Sequence, residues 1–251
     1  MEDSRQTDFQ IPVIFTPQVI AGFSTRNGGV SEGHLSSLNL SYSVEDSREL
    51  VERNREIFFG HFGIALNELV TAGQVHGTQI VVVDSPGFVP KCDGLVSSVP
   101  DLFLCITAAD CAAVLFADDV NGVIGACHAG WRGAAGGIVG STIRKMESLG
   151  ADTATIRAYV GPCISNDHFE VGEEVAQQFP DKYVDRSGIK PHIDLKAYIL
   201  ACLKDEGLQA DRIELSDSCT FRDSTRFFSH RAHAGKTGRM MGFIGRRERS
   251  V

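Results

Sequence analysis

Two short apolar runs constrain this chain most, because each of them stops on residues able to do chemistry. Phe103–Thr107 leads into Ala-Ala-Asp-Cys, so Asp110 and Cys111 fall where a buried strand ends. Val123–Cys127 leads into His-Ala-Gly-Trp-Arg-Gly, and a helical pattern begins soon after it. Two strands ending on Cys111 and His128 bring a thiol and an imidazole side by side. Gly130, Gly133, Gly136 and Gly137 leave the nearby backbone open to close approach by a ligand.

The helical pattern in GAAGGIVGSTIRKMESLG starts only a few residues past His128, with Val139, Ile143, Met146 and Leu149 on one face. Its free N–H groups and dipole therefore point toward His128 and Arg132, a setting that suits a phosphate or carboxylate. Further helices are expected over 46–63, over HFEVGEEVAQQF (168–179) and over 193–208, with strands near 80–83, 95–96, 156–160 and 213–215. VIAGFSTRNGGVSEGHLSSLNL, from Val19, reads as two apolar pieces around a Gly28-Gly29 turn. Arg26 in that turn fits either a solvated hairpin or a loop that holds an anion. Residues 1–10 are expected to fray. No repeat, low-complexity tract or linker divides the chain, so a single domain is expected over 1–251.

Charge narrows the partners. With 24 basic and 32 acidic residues the net charge is −8, which repels a polyphosphate backbone and an anionic membrane surface. A small molecule is the expected ligand, and a monomer the expected form. The N-terminal residues carry charges of both signs and no apolar core, unlike a secretory signal, and no apolar run reaches the length of a membrane span. The seven cysteines are odd in number and lie in apolar contexts rather than spaced pairs, which fits a reducing compartment; a cytoplasmic location is expected.

His76, Cys111 and His128 together would make a thiolate and two imidazoles with one coordination position open, the composition of a catalytic zinc site. Their wide separation supplies no local metal motif, so from spacing alone three structural residues that never meet is the favoured reading. A metal-free Cys111 nucleophile with His128 as its base is a further alternative. Asp93, beside Gly94 at the start of a short apolar run, reads either as a turn former or as a general acid or base.

STRNGGVSEG, QVHGTQIVVVD, CDGLVSSVP, TAADC, HAGWRG, VGPCI, FEVGEEV, FFSHR and TGRMM follow one another from about Gly22 to Gly242. In this order they closely resemble the laccase-domain proteins, also called multicopper polyphenol oxidoreductases or peptidoglycan-editing-factor proteins, which include zinc-dependent purine nucleoside phosphorylases. The resemblance implies an α+β sandwich, a single domain of mixed β-sheets flanked by helices with a cytotoxic-necrotizing-factor-like fold. It implies one zinc ion on His76, Cys111 and His128. It also implies phosphorolysis of adenosine, inosine, guanosine or methylthioadenosine, with adenosine deamination as a companion activity. Asp93, Cys111 and Arg231 then become catalytic candidates; Ser24, Arg26, Gln74, Arg132 and Ser229 become contacts to nucleoside or phosphate.

Three positions depart from the family pattern. Where relatives usually carry two adjacent arginines after Ser-Tyr, this chain has Ser229-His230-Arg231-Ala232 and so lacks one basic contact; Ala113 replaces a common proline, and Gly94 stands where alanine is usual. The alternative activity is hydrolysis of an amide in a UDP-MurNAc-type cell-wall precursor. Copper oxidation is disfavoured, because a multicopper site needs many histidines and this chain has eight, none in a His-x-His pair. A non-enzymatic zinc domain is disfavoured by the open coordination position.

Overall fold

The computed structural model describes residues 7–248. These residues hold fourteen strands and five α-helices, with seven strands in succession between the first two helices. The strands are β1 (Phe9–Gln10), β2 (Val19–Ser24), β3 (Leu69–Gly73), β4 (Ile80–Val82), β5 (Gly87–Pro90), β6 (Gly94–Ser97), β7 (Phe103–Ala108), β8 (Ala112–Asp118), β9 (Val123–Ala129), β10 (Arg157–Val160), β11 (Val184–Asp185), β12 (His192–Ile193), β13 (Ile213–Leu215) and β14 (Met240–Arg246). The helices are α1 (Arg48–Gly60), α2 (Trp131–Ala135), α3 (Ile138–Glu147), α4 (Glu173–Ala176) and α5 (Leu195–Asp205).

Two six-stranded mixed sheets carry the fold, ordered β1-β2-β14-β7-β3-β5 and β13-β10-β8-β9-β6-β4, and β11 and β12 form a small ribbon. The sheets pack face to face. Ala21, Phe23, Leu104 and Ile106 of the first meet Leu95, Ala113, Leu115 and Ala126 of the second in one buried layer. On the far side of the second sheet, Val114, Phe116 and Cys127 pack against Ile138, Ile143 and Met146 of α3 and Ile199 and Leu203 of α5. On the far side of the first, Phe103 and Phe243 meet Phe58 and Phe59 of α1. The result is the expected α+β sandwich, helices outside and two sheets within.

Layering explains why the central strands read as unbroken apolar runs. Each lies between two apolar layers, so both of its faces are buried and no polar alternation survives. In β7, Phe103 and Cys105 face the α1 side while Leu104, Ile106 and Ala108 face the other sheet. β8 is built the same way but holds three alanines, and its weak strand propensity hid it from the sequence reading.

The structure corrects several local expectations. β2 does not form a hairpin with the piece after Gly29; it pairs instead with β1 and β14. Residues after Gly29 fold back as a loop, with the N–H groups of Ser37 and Leu38 both donating to Arg26 O. The frayed end expected over 1–10 is ordered where it is described: Phe9–Gln10 pair with β2, and Asp8 O accepts from Thr25 N. Residues 1–6 of that call lie outside the described part. The helix expected over 168–179 shrinks to α4, because Val171 N donates to Pro191 O and Ile193 N to Phe169 O, holding 169–171 extended. The helix after Gly133 divides into α2 and α3 at Gly136-Gly137.

Candidate metal centre and cavity

Cys111 sits where the chain leaves β7 of one sheet and enters β8 of the other. Asp110 makes this corner with φ +81, a conformation that a non-glycine residue adopts only under constraint. The constraint is visible: Thr220 Oγ1 donates to Asp110 Oδ1 at 2.6 Å and Arg231 N donates to Asp110 Oδ2 at 2.7 Å. His128, in β9, is registered opposite Ala113 and so lies beside the start of β8. His76 arrives from the loop after β3, itself held at φ +59.

These three residues converge. Their ligand-capable atoms all lie within 4.8 Å of one another, and the two imidazole rings stand 4.8 Å apart at 76°. Asp93 organises both histidines from behind. Its carboxylate accepts N–H bonds from Val75 at 3.1 Å, His76 at 2.9 Å and Gly77 at 2.7 Å, and His128 Nδ1 donates to the same carboxylate at 2.9 Å. With Nδ1 committed, His128 is left with Nε2 to face Cys111.

The electrostatics match the geometry. Burial pushes the Cys111 thiol up, but His128 and His76 outweigh it and bring the thiol down to about 6. Burial pulls His128 down, but Cys111 and Asp93 raise it to about 9. For Asp93, burial acts upward, and the bonds from His128, Gly77 and Val75 overcome it and hold the carboxyl below its usual range. Cys105, Cys127 and Cys163, by contrast, are pushed up to about 12 by burial and are core thiols.

The donor set suits a borderline-soft transition ion, with one thiolate and two imidazoles. The backbone leaves room for it: a Cβ at Gly130 would lie 2.8 Å from Cys111 Sγ and 3.4 Å from His76 Cδ2. A larger residue there would have to displace the Cys111 sulfur.

The set opens on a cavity of about 700 Å³, within the range of small-molecule sites. One wall is apolar, formed by Ile164, Phe169, Val171, Val175 and Leu195. Polar and cationic groups line the rest, among them Gln74, Arg132, Lys190, His230, Arg231 and Arg239. Gln74 is immobilised, accepting from Thr107 N and Oγ1 and donating to Thr107 O. Arg132 lies over the Trp131 ring at 4.2 Å. Arg231 donates from Nη1 to Glu170 O at 2.7 Å.

Four sequence candidates stand elsewhere. Asp93 is fully buried and does not line the cavity, so it is misplaced as a proton donor to substrate; it positions the two histidines. Arg26 lies outside the cavity lining because its guanidinium donates to Ser36 O and Ser224 O and covers the Phe228 ring. Ser24 is buried between strands, accepting from Met241 N. Ser229 is buried as well, its hydroxyl accepting from Ala232 N. The expected anion site at a long helix N-terminus is also absent, since the helix that follows His128 is the five-residue α2. Sequence reasoning left Asp110, Phe169, Lys190 and Arg239 out of the site. Of these, Asp110 carried a signal in its adjacency to Cys111 at a strand end.

Similar proteins share both the sequence and the fold. Residues 20–247 match the family model described as multi-copper polyphenol oxidoreductase laccase. A relative from Deinococcus radiodurans named purine nucleoside phosphorylase is 39% identical over 242 residues, covering 94% of this chain and 93% of its own. Purine nucleoside phosphorylase YlmD of Bacillus subtilis is 33% identical, covering 92% and 90%. The crystal structure of YlmD from Geobacillus stearothermophilus superposes with a TM-score of 0.90 at 30% identity, covering 97% of this chain and 99% of that one. By sequence along nearly its whole length, and by its double-sheet fold, this chain belongs to the multi-copper polyphenol oxidoreductase laccase family.

Proposed function

We propose that this protein is a cytoplasmic, zinc-dependent purine nucleoside phosphorylase acting on adenosine, inosine, guanosine or methylthioadenosine, and that it also deaminates adenosine. The observation that carries the reading is the His76–Cys111–His128 set opening on a cavity with an apolar aromatic wall and several cations. The phosphorylase names of the relatives support it. One thiolate and two imidazoles suit zinc, whereas a multicopper oxidase centre needs many more histidines, in His-x-His pairs, than this chain supplies: it has eight, none so paired.

As the glycosidic bond breaks, positive charge builds on the ribose and negative charge on the departing base, while phosphate approaches the anomeric carbon. Phe169 and Trp131 offer ring faces to the purine. Arg231, fixed by Glu170 O and lying 5.7 Å from the Phe169 ring, holds the nucleoside at that wall. Gln74, locked to Thr107, fixes the shape of the opposite side. His76, Cys111 and His128 would hold the zinc ion, which when bound would supply Lewis acidity.

Mass-resolved analysis of adenosine and inosine incubations, with and without phosphate, tests this. Free base and ribose 1-phosphate are expected only when phosphate is present, and inosine from adenosine even when it is absent. Free base and ribose formed without phosphate would make the enzyme a hydrolase. No nucleoside turnover by the zinc-loaded protein would discard the reading and leave amide hydrolysis of a cell-wall precursor to be tested.

A further inference from the structure

Among the cations of the cavity, Arg239 is set apart by what holds it. It directly precedes β14, near the middle of the first sheet. Its backbone is fixed on both sides: Arg239 N donates to Asn39 Oδ1 at 3.0 Å, and Leu40 N donates to Arg239 O. The guanidinium is fixed as well, because Nη1 donates to Thr237 O at 2.9 Å and to Gly238 O at 3.0 Å. Nε and Nη2 have no acceptor among the described residues, and no carboxylate there forms an ion pair with this side chain.

The other cations are engaged differently. Lys190 is paired with Glu170 at 2.9 Å, Arg132 covers Trp131, and Arg231 is exposed and donates to Glu170 O. Asp110, the carboxylate of the cavity on the Cys111 side, has both oxygens occupied by Thr220 and Arg231. Cys111 and Asp110 act on the Arg239 guanidinium as neighbouring negative charges without bonding to it, so its partly buried free donor edge still lacks a bonded anion.

The walls of the cavity come from different layers. Ser43, Gln74, Thr107 and Arg239 belong to the first sheet or to loops beside it, while Phe169, Val171, Val175 and Leu195 belong to the apolar layer under the second sheet. Cys111 stands at the crossing between the sheets. Resting on the phosphorylase reading, we infer that Arg239 holds the phosphate co-substrate, with the purine at the Phe169 end and the scissile bond between them. The free Nε and Nη2 edge matches two oxygens of a phosphate, a bidentate fit that a lysine cannot reproduce.

The test is titration of inorganic phosphate into the metal-loaded protein by calorimetry, without nucleoside, for the parent, Arg239→Gln, Arg239→Lys and the surface control Arg53→Gln. Metal content and the circular dichroism spectrum are recorded for each. Arg239→Gln should weaken phosphate binding by about tenfold or more, in line with loss of a charge-assisted pair. Arg239→Lys should fall between it and the parent, and Arg53→Gln should match the parent. In turnover assays, KM for phosphate should rise in Arg239→Gln while KM for inosine stays within about twofold. If Arg239→Gln folds poorly, Arg239→Lys alone carries the comparison.

Unchanged phosphate affinity in both variants, or loss of it in Arg231→Gln instead, would overturn the assignment while leaving phosphorolysis intact. Phosphate binding that depends on Arg239 in a protein without nucleoside turnover would keep the oxyanion subsite and remove the phosphorylase reading.

Discussion

Asp93 ties the loop after β3 to His128 of β9. One carboxylate accepts from three successive backbone N–H groups and from His128 Nδ1. Asp93→Asn places an NH2 group against donors, so metal affinity should fall about 10–100-fold, the range found for groups that orient metal ligands. A competition titration with a chromophoric chelator reads this. Gly130→Ala tests the same centre from the other side. Its Cβ would crowd Cys111 Sγ at 2.8 Å, so the variant should keep its circular dichroism spectrum and lose stoichiometric metal. The thiol supplies a third test. Thiolate is the reactive form and exists above the thiol pKa, so with Cys111 near 6 alkylation of metal-free protein should rise through about pH 6 and then level off. An unperturbed thiol would keep gaining reactivity to near pH 9, and bound zinc should suppress the reaction.

At the scale of elements, the site depends on where strands end. β7 and β8 lie in different sheets, and the three residues between them carry Asp110 and Cys111. The ends of β7 and β9 were legible, because each apolar run stops at a polar or glycine-rich boundary. β8 was not, since alanine gives no strand signal and both of its faces are buried. β14 was hidden by its glycines, which normally weaken a strand. Here close packing requires them: a Cβ at Gly242 would lie 3.1 Å from Phe23 and 3.2 Å from Ala113 Cβ, between the two sheets. Behind β14, Phe243 contacts Phe58, Phe59, Phe62 and Phe103 with ring centroids 4.8–6.3 Å apart. Phe243→Ala should cost about 3–5 kcal/mol in denaturant unfolding. Its folded fraction should keep the parent metal stoichiometry, because this layer lies across the first sheet from the cavity.

Across the whole molecule, the three metal-ligand candidates come from separate segments that only the tertiary fold brings together. Their spacing alone favoured three unrelated residues; resemblance to the family joined them, and the geometry places their donor atoms in one cluster. The polar partners were less legible. Arg26 fitted an anion-holding loop and Ser229 entered through the family resemblance, yet both are engaged in holding loops, since a side chain's partners cannot be read from its neighbours in sequence. Arg239 lies in the TGRMM stretch that carries part of the family resemblance, but nothing local in that stretch separates a ligand contact from a structural arginine. All seven cysteines are free, and no described helix is long and apolar enough to cross a membrane.

If nucleoside phosphorolysis takes place at the His76–Cys111–His128 centre, it requires a metal ion on those three residues. Metal-stripped protein titrated with zinc, with ribose 1-phosphate formation from inosine read at each step, tests it most directly. Activity should rise in proportion to zinc, level off at one ion per chain, and remain absent in Cys111→Ala at every zinc concentration. Full activity in the metal-stripped protein, or an unchanged rate in Cys111→Ala, would contradict the account.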